Sequence, residues 1–344
     1  MEGSDYNFLS KLFHQISLGS KVVSEISFDI DQAIFSKKRN INTLKEGPVF
    51  ISGLARSGTT ALLETLNKSD EFISLTYSDM PFILAPNLNK KLSFNNKNSE
   101  LKERAHKDGI LINNESPEAL DEVFWKVFLN NSYIKEDRLE INKISKEISL
   151  KFEKYINQIT LKKGESKRYL SKNNNLVLRF DSILKQFPMA KIIIPFRDPL
   201  QHAISLLNQH IHFSELQKKD PFSLKYMNWL GHHEFGLNQK PFYLCNDEIF
   251  ERISNYSKVD INYWLLSWLN YYKYILENYS DSVILFSYER FCENPNEVMN
   301  ILSKQINLND VNFEFKPFKI KIRTHSDFNQ DIYNNCLDIY SKLI

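Results

Sequence analysis

A short apolar run that passes through a glycine turn into a helix is the feature that most constrains this chain. Residues 48–52 are mainly β-branched and aromatic, residues 53–58 form a turn with a glycine at each end, and residues 59–66 have helical spacing. Glycine is otherwise scarce, with only nine in 344 residues. The backbone amides of such a turn, and the helix N-terminus behind it, present hydrogen-bond donors to an anion. The sequence therefore predicts a strand, a phosphate-binding loop and a helix, in this order.

The loop does not fit a nucleoside triphosphatase. The pattern G-x-x-x-x-G-K-[ST] needs a lysine directly after its second glycine to reach the β- and γ-phosphates, but here Thr59 follows Gly58. A cation stands instead two residues before that glycine, at Arg56. We therefore expect the loop to hold another phosphate ester. The alternative is a strand-to-helix turn whose glycines serve packing alone.

Two further segments repeat the order of strand, turn and helix. Residues 191–196 are a bounded apolar run followed by a helical pattern, and residues 282–288 lead to a helix that begins at Pro295. Short apolar runs of this kind are typical of strands buried on both faces of a parallel sheet. The sequence thus predicts an α/β fold in which helices flank a mainly parallel central sheet.

The remaining sequence divides into a lead-in and one enlarged domain. Residues 1–46 are expected to form a helical N-terminal lead-in, and residues 47–344 a catalytic domain. Two large helical insertions, at about 95–165 and 215–280, are expected to build the substrate side. In the second insertion, residues at helical spacing predict a face of the core. They are Trp264, Trp268, Tyr271, Tyr272 and Ile275.

Charge and cysteine usage exclude several classes of protein. Lys and Arg number 44 against 42 Asp and Glu, a net charge of +2, and no clustered positive charge marks a nucleic-acid binder. The three cysteines are far apart and no histidine lies at metal-ligand spacing beside them, so neither a disulfide framework nor a metal site is expected. The sequence has neither a secretory signal nor a transmembrane run, and the cytoplasm is the expected compartment.

The loop sequence resembles that of a known family. Arg56-Ser57-Gly58-Thr59-Thr60 is similar to the 5′-phosphosulfate-binding loop of the sulfotransferases that use 3′-phosphoadenosine-5′-phosphosulfate (PAPS), in the form found in the tyrosylprotein and bacterial branches. The resemblance implies a P-loop-like fold, PAPS as the sulfuryl donor, no metal, and these five residues as part of the cofactor site. It also implies that Arg56 contacts the transferring sulfuryl group.

A second anion site follows the predicted strand at 191–196. In the resembling family an Arg at a strand end and a Ser eight residues later bind the 3′-phosphate, and Arg197 and Ser205 match that spacing. Arg presents a bidentate fork to phosphate. The alternative is a simple helix entry capped by Asp198. Tyr288 resembles the tyrosine of the family's third segment, which implies a place near the adenosine, unless it is an ordinary core aromatic.

A second cation and a base are implied for the chemistry. Lys172 lies in a segment similar to the Asn-Lys segment of the tyrosylprotein branch, and we expect it to act with Arg56 at the sulfuryl group. A solvated surface lysine is the alternative. Removal of the acceptor proton needs a base. The tyrosylprotein branch has a Glu some 21 residues beyond the loop Arg, where this chain has Tyr77.

The general base is the least defined part of the prediction. The carboxylate nearest to the family position is Asp79, which we expect to be the base and a catalytic residue. The alternative for Asp79 is a turn residue ahead of the following proline. His106 and the pair His232-His233 are further candidates, since histidine is suited to proton transfer near neutral pH.

Sulfuryl transfer from PAPS to a hydroxyl of an acceptor, with an amine as second choice, is the function that the sequence predicts. The resemblance is to sulfotransferases that act on large acceptors, so a carbohydrate or glycolipid headgroup is the expected partner besides the nucleotide donor. Two alternatives stay open. One is a small-molecule P-loop kinase that uses ATP and magnesium, against which the missing lysine after Gly58 counts. The other is a non-catalytic nucleotide-binding protein.

Overall fold

A parallel sheet of five strands lies at the centre of this computed structural model. In spatial order the strands are β2 (Phe72–Ile73), β6 (Arg168–Lys172), β1 (Val49–Ile51), β7 (Lys191–Phe196) and β9 (Ile284–Ser287). Every neighbouring pair runs parallel. In the middle of the sheet, Phe50 pairs with Ser171 on one side and with Ile192 on the other. Helices connect the strands, so the predicted α/β fold with a mainly parallel sheet is confirmed.

Helices surround the sheet in the part of the chain that the structure describes. The described residues are 8–35, 46–92, 100–106, 109–163, 167–244, 246–308, 313, 315 and 322–344. The helices are α1 (Phe8–Gly19), α2 (Lys21–Phe35), α3 (Thr59–Asn67), α4 (Pro86–Leu92), α5 (Glu122–Phe128), α6 (Lys146–Lys163), α7 (Phe180–Gln186), α8 (Pro199–Lys219), α9 (Pro221–Leu230), α10 (Asp247–Ser254), α11 (Ile261–Tyr279), α12 (Tyr288–Glu293), α13 (Pro295–Gln305) and α14 (Gln330–Leu343). Two short strand pairs are also present, β3 (Lys102–Glu103) with β4 (Leu111–Ile112) and β5 (Leu139–Glu140) with β8 (Phe242–Tyr243). None of the described helices is long and apolar enough to cross a membrane.

The three strand-turn-helix units predicted from the sequence are present, with one change of boundary. The first runs from β1 to α3 and the second from β7 to α8. In the third, β9 ends at Ser287, and Tyr288 begins α12 instead of closing the strand. Ser287 caps that helix, because its Oγ accepts a hydrogen bond from the backbone N–H of Arg290 at 3.3 Å. Tyr288 is therefore carried on the first turn of a helix that starts at the sheet edge.

Strand β6, which lies between β1 and β2, is absent from the sequence prediction. Its sequence, RYLSK, begins and ends with a charged residue, yet all five residues are buried. Arg168 is accommodated because its Nε donates to the carbonyl oxygen of Gly47 at 2.9 Å and its Nη1 to that of Ile306 at 2.7 Å. A buried side chain whose hydrogen bonds go to distant main chain leaves no apolar pattern in the sequence. The strand ends at Lys172.

The two predicted insertions differ in their secondary structure. The first carries α5 and α6 but also β3, β4 and β5, while the second carries α9, α10 and α11 and the short strand β8. The aromatic stripe of the second insertion is buried, with Trp268 0% exposed, so the predicted core face is confirmed. In the predicted lead-in, α1 and α2 span residues 8–35. Parts of these predictions lie outside the described residues, namely 1–7, 36–45, 95–99, 107, 108, 164, 165 and 245.

A buried polar layer lies beneath the carboxyl end of β6. Glu122 and Arg179 form an ion pair with two hydrogen bonds, from Nη1 to Oε2 at 2.8 Å and from Nη2 to Oε1 at 3.1 Å. Asn173 donates to the same carboxylate at 2.8 Å, and the hydroxyl of Tyr133 also donates to it. All four side chains are buried. Because these buried side chains contact one another directly, the network holds the residues that follow β6 in one conformation.

Asp121 lies beside this ion pair and is 1% exposed. Its Oδ2 accepts hydrogen bonds from Ser171 at 2.5 Å and from Tyr169 at 3.3 Å. Burial, helped by the negative charge of Glu122, outweighs the hydrogen bond from Ser171 and raises the pKa of Asp121 to about 6. Between pH 4 and 6 the folded protein therefore keeps a proton that the unfolded chain releases, and this part of the stability is lost as the pH rises.

Asp121→Asn is expected to remove this titration. The difference in unfolding free energy between the variant and wild type should shift by about 2 kcal/mol in favour of the variant from pH 4 to pH 7.5. A pKa difference of about two units corresponds to slightly more than this, and most of it falls within that pH range. Urea denaturation at the two pH values measures the gain. Asp281→Asn changes an exposed carboxylate and is the control. A difference between Asp121→Asn and wild type that stays constant with pH would contradict the assignment.

Candidate active site

The loop between β1 and α3 is folded as a tight turn. Ser57 closes it, because its Oγ donates to the carbonyl oxygen of Leu54 at 2.8 Å and its backbone N–H donates to the same oxygen at 3.3 Å. Gly58 precedes α3 with a φ of 97°. Arg56 has a φ of 72°, a strained value for a residue with a side chain and one that is concentrated at functional sites. The predicted phosphate loop thus opens onto a helix N-terminus.

The ring of Tyr288 packs directly against this loop. A Cβ atom at Gly58 would lie 2.8 Å from Tyr288 Cδ2, which is closer than packed carbon atoms approach each other. Glycine is therefore required here both by the left-handed backbone and by the ring beside it. The contact brings the third strand-turn-helix unit against the first.

Arg197 follows β7 and stacks on the same tyrosine. The centre of its guanidinium is 4.7 Å from the ring centroid of Tyr288. Its carbonyl oxygen accepts a hydrogen bond from Trp268 Nε1 at 3.2 Å, which fixes the main chain. The Nε atom of Arg197 is buried, lies 3.9 Å from Glu289 Oε1, and has no hydrogen-bond partner among the described residues. A buried guanidinium with an unused donor is suited to bind an anion.

A contact between Arg56 and Ser205 connects the two predicted anion sites. Ser205 is buried on α8, and its Oγ lies 3.4 Å from Nε of Arg56, from which it accepts a hydrogen bond. The same helix is capped by Asp198, whose Oδ1 accepts from the N–H of Gln201 at 2.8 Å. Asp198 therefore caps the helix, and the same helix carries Ser205 about two turns later, so the two interpretations of this segment are compatible. The structure brings the two predicted phosphate-binding sites side by side.

A cavity of about 860 Å³, part of it open to solvent, adjoins the loop. Arg56 lines it from the loop and Lys172 from the end of β6. Lys172 is only 8% exposed, so it is not a solvated surface lysine. Arg104 is a further cation in the wall, and its Nη1 donates to Thr60 Oγ1 at 3.2 Å. No motif in the sequence points to Arg104, which reaches the loop from the segment after β3.

Glu118 is a cavity residue that the sequence analysis missed. It accepts hydrogen bonds from the hydroxyl of Tyr77 at 2.5 Å and from the backbone N–H of Ala119 at 2.8 Å. Burial opposes its ionisation, but the charges of Lys172 and Arg104 outweigh burial and lower the pKa of Glu118 to about 2. Tyr77 stands where the tyrosylprotein branch has its base. Its partner Glu118 is 41 positions away, so no local spacing could identify this carboxylate.

A histidine and a glutamate face the cavity from the turn after α9. His232 Nδ1 lies 3.4 Å from both carboxylate oxygens of Glu234. Asn174 Nδ2 donates to Glu234 Oε1 at 3.0 Å. Burial favours the neutral imidazole, but the carboxylate of Glu234 outweighs burial and raises the pKa of His232. The pKa of Glu234 is well below its usual range, because the charges of His232 and Lys172 outweigh burial.

Asp79, the predicted base, does not line this cavity. It closes a capping box, in which its Oδ2 accepts a hydrogen bond from the backbone N–H of Thr76 at 2.8 Å. Its Oδ1 lies 2.5 Å from Nζ of Lys162, and the carboxylate is 1% exposed. These contacts match the turn role that the sequence left open. A catalytic role for Asp79 stays a prediction, and its contacts do not favour it.

The other two candidate histidines have packing contacts. His106 lines the cavity, and its ring meets that of Phe213 edge-on at 5.0 Å between centroids. His233 lies outside the cavity, with Nδ1 3.1 Å from the carbonyl oxygen of Asn238. Burial lowers the pKa of His233 to about 4. Among the residues that the structure describes, no group of His, Cys, Asp or Glu is arranged to hold a metal ion.

A family match accompanies this geometry. The model of the sulfotransferase family matches residues 48–233, more than half of the chain. The chain therefore belongs to the sulfotransferase family, and the resemblance noted in the sequence is confirmed at that level. Among solved structures, sulfotransferase STF1 from Mycobacterium tuberculosis H37Rv is similar, with 12% sequence identity, a TM-score of 0.49, and coverage of 85% of this chain and 75% of that chain. Sulfotransferase STF9 from Mycobacterium avium has 12% identity and a TM-score of 0.36, and the match covers 88% of this chain and 86% of that chain. No curated protein gives a significant sequence match.

Gly58→Ala tests the packing of Tyr288 on the loop. An L side chain at a left-handed φ costs about 1–2 kcal/mol, and here the new methyl group would also meet the tyrosine ring. Gly109→Ala is the matched control, because Gly109 has a φ of 81° and nothing within 4 Å of its Cβ position. In denaturant titrations Gly58→Ala is expected to lose more unfolding free energy than Gly109→Ala. Equal losses would contradict the contact.

Proposed function

We propose that this sulfotransferase transfers the sulfuryl group of PAPS to a hydroxyl of an acceptor, with an amine as the second choice. The observation that carries the proposal is the pair of basic sites, one after β1 and one after β7, that meet at the contact of Arg56 with Ser205 beside one cavity. A donor with anionic groups at both its 5′ and 3′ positions requires two such sites. Membership of the family supports the same donor.

The residues at these two sites fit the charged ends of PAPS. The amides of residues 56–60 and the N-terminus of α3 would bind the 5′-phosphosulfate, with the hydroxyls of Thr59 and Thr60 at the cavity wall. Arg197, whose buried Nε has no partner among the described residues, would bind the 3′-phosphate together with Ser205. Tyr288, stacked on Arg197, would lie against the adenosine.

Two cations are assigned to the chemical step. When bound, PAPS supplies a sulfuryl group that is activated by its bond to the 5′-phosphate. Arg56 and Lys172 both line the cavity beside the loop, where they would stabilise the negative charge that develops as that bond breaks. Lys172 is held at the end of a buried strand, so its position does not depend on the ordering of a loop.

The cavity walls suit a carbohydrate or a glycolipid headgroup as acceptor. Charged groups such as Arg104 and Glu118 share the cavity with the aromatic rings of Phe213, Tyr226 and Phe235. A sugar ring presents hydroxyls at its edge and C–H groups on its face, so it can use both kinds of wall. We assign the acceptor to this cavity because it is the space that adjoins both cations.

The two alternative functions are less well supported. A small-molecule kinase lacks support because Thr59 stands where a lysine would reach the β- and γ-phosphates of ATP. A non-catalytic nucleotide-binding protein would have no use for a histidine and a glutamate beside the loop, and both His232 and Glu234 line the cavity. Perturbed titratable groups in a cavity are typical of an active site.

Arg197→Ala should remove most of the preference for 3′-phosphoadenosine-5′-phosphate (PAP) over ADP. A hydrogen bond to a charged group contributes about 1.5–3 kcal/mol, so PAP should bind about 10- to 100-fold more weakly while ADP binding changes little. Calorimetric titration measures both affinities. Arg290→Ala, at an exposed arginine of α12, should keep the wild-type affinity for PAP. Equal affinity of the wild-type protein for PAP and ADP would overturn the assignment of the donor.

Arg56→Ala should impair turnover more than it impairs nucleotide binding. The guanidinium is assigned to charge that develops during transfer, and its loss should lower turnover about 10- to 100-fold. Its hydrogen bond to Ser205 predicts a smaller, few-fold loss of PAP affinity. Radiolabelled PAPS with an acceptor found by screening gives the turnover, and calorimetry gives the affinity. Normal turnover would make the loop arginine structural.

A further inference from the structure

The turn that carries His232 is held by main-chain and side-chain contacts on several sides. Gly231 ends α9 with a φ of 76°, and a Cβ atom there would lie 2.8 Å from Glu122 Cγ. The carbonyl oxygen of Gly231 accepts a hydrogen bond from Asn175 Nδ2 at 3.0 Å. The backbone N–H of His232 donates to the carbonyl oxygen of Met227 at 2.9 Å. The backbone of His232 is therefore fixed before any ligand binds.

Three consecutive asparagines after β6 supply much of this support. Asn173 donates to the buried Glu122, and its Oδ1 accepts from the N–H of Asn175 at 2.9 Å. Asn174 donates to Glu234. Because the three residues follow Lys172 directly, the strand end that presents the lysine also fixes the histidine and the glutamate. Lys172, His232 and Glu234 all line one cavity.

We propose that His232 is the general base of the transfer reaction and that Glu234 is its positioning residue. The proposal rests on the proposed function above. Glu234 accepts a hydrogen bond from Nδ1 of His232, which assigns the proton of the neutral imidazole to Nδ1 and leaves the lone pair on Nε2. None of the hydrogen bonds among the described residues uses Nε2 of His232. That atom is left for the hydroxyl of an acceptor in the cavity.

In the proposed step the sulfuryl group passes to the acceptor and the acceptor proton passes to His232. The acceptor oxygen forms a bond to sulfur while the bond between sulfur and the 5′-phosphate oxygen breaks, and the electron pair of that bond stays on PAP. The acceptor proton passes to Nε2 of His232. Glu234 stabilises the imidazolium that results, since its carboxylate stays ionised at Nδ1. The proton is then released to solvent through the open side of the cavity.

The competing carboxylates are already engaged. Both oxygens of Glu118 accept hydrogen bonds, from Tyr77 and from the N–H of Ala119, and its basicity is low because Lys172 and Arg104 are near. Asp79 is paired with Lys162 outside the cavity. In contrast to Glu118 and Asp79, His232 lines the cavity and has a basic atom, Nε2, that none of the hydrogen bonds among the described residues uses.

The charges around His232 define the expected pH dependence. Glu234 and Glu118 favour the imidazolium, Lys172 and burial oppose it, and Arg56 lies in the same cavity wall. The net effect raises the pKa of His232. Since the base must be neutral, activity should fall as the pH drops through this raised pKa. Glu234→Gln removes the largest favourable charge, so the acidic limb of the pH–rate profile should move to lower pH.

His232→Gln, Glu234→Gln and His106→Gln form the test set. Turnover is measured with radiolabelled PAPS and a panel of methyl glycosides and phenol as probe acceptors, and PAP binding by calorimetry. His232→Gln should lose about 10²–10⁴-fold of turnover with PAP affinity within about threefold. His106→Gln, at the other histidine of the cavity, should lose less than about tenfold. Glu234→Gln should be slower and should show the shifted acidic limb.

Histidine NMR gives a readout that does not depend on the acceptor. The His232 resonance is assigned by its absence in His232→Gln, and its pKa should be lower in Glu234→Gln than in wild type. Turnover of His232→Gln within tenfold of wild type would overturn its role as the base, and an unmoved titration in Glu234→Gln would overturn the positioning role. Failure of the wild-type protein to bind PAP would instead overturn the proposed function, so the two failures are distinguishable.

Discussion

The buried ion pair of Glu122 and Arg179 is the interaction on which the candidate active site depends. It lies under the carboxyl end of β6, and Asn173 and Tyr133 donate to the same carboxylate that accepts the two hydrogen bonds of Arg179. Breaking a buried pair by removing one partner typically costs about 3–5 kcal/mol, because the remaining charge is left uncompensated. The side chain of Glu122 also touches the glycine turn after α9. One polar cluster therefore supports both walls of the cavity.

Lys172 has a second role as the charge that links the two carboxylates of the cavity. Its positive charge contributes to the low pKa of Glu118 and of Glu234. The two carboxylates arrive from different parts of the chain, and without this cation between them they would repel each other in a poorly hydrated space. The lysine thus lets the fold place two carboxylates beside the loop that we propose as the binding site of the 5′-phosphosulfate. The charges are thus balanced locally, in a chain whose net charge is only +2.

The parts of the fold and of the candidate site that could be predicted from the sequence are those whose residues lie close together along the chain. Three bounded apolar runs predicted three of the five strands, and the loop at 56–60 and the spacing of Arg197 and Ser205 are short-range patterns from which two anion sites could be predicted. β6 was missed because Arg168 looks like a surface residue until its distant main-chain partners are known. The contact of Glu234 with Asn174 was missed because the two residues are 60 positions apart. For Asp79 the local signal existed, since T-x-x-D is a capping-box pattern.

The packing of Tyr288 on Gly58 has a consequence for how the protein matures. The two residues belong to the last and the first of the strand-turn-helix units, so the loop acquires its neighbour only after most of the chain has been synthesised. Contacts between residues so far apart in sequence form late, because the long intervening chain must first be ordered. The β1 and α3 segments can form early from local interactions, but the proposed nucleotide site is complete only when α12 has formed. A partly synthesised chain therefore carries the recognisable loop without the tyrosine that packs against it.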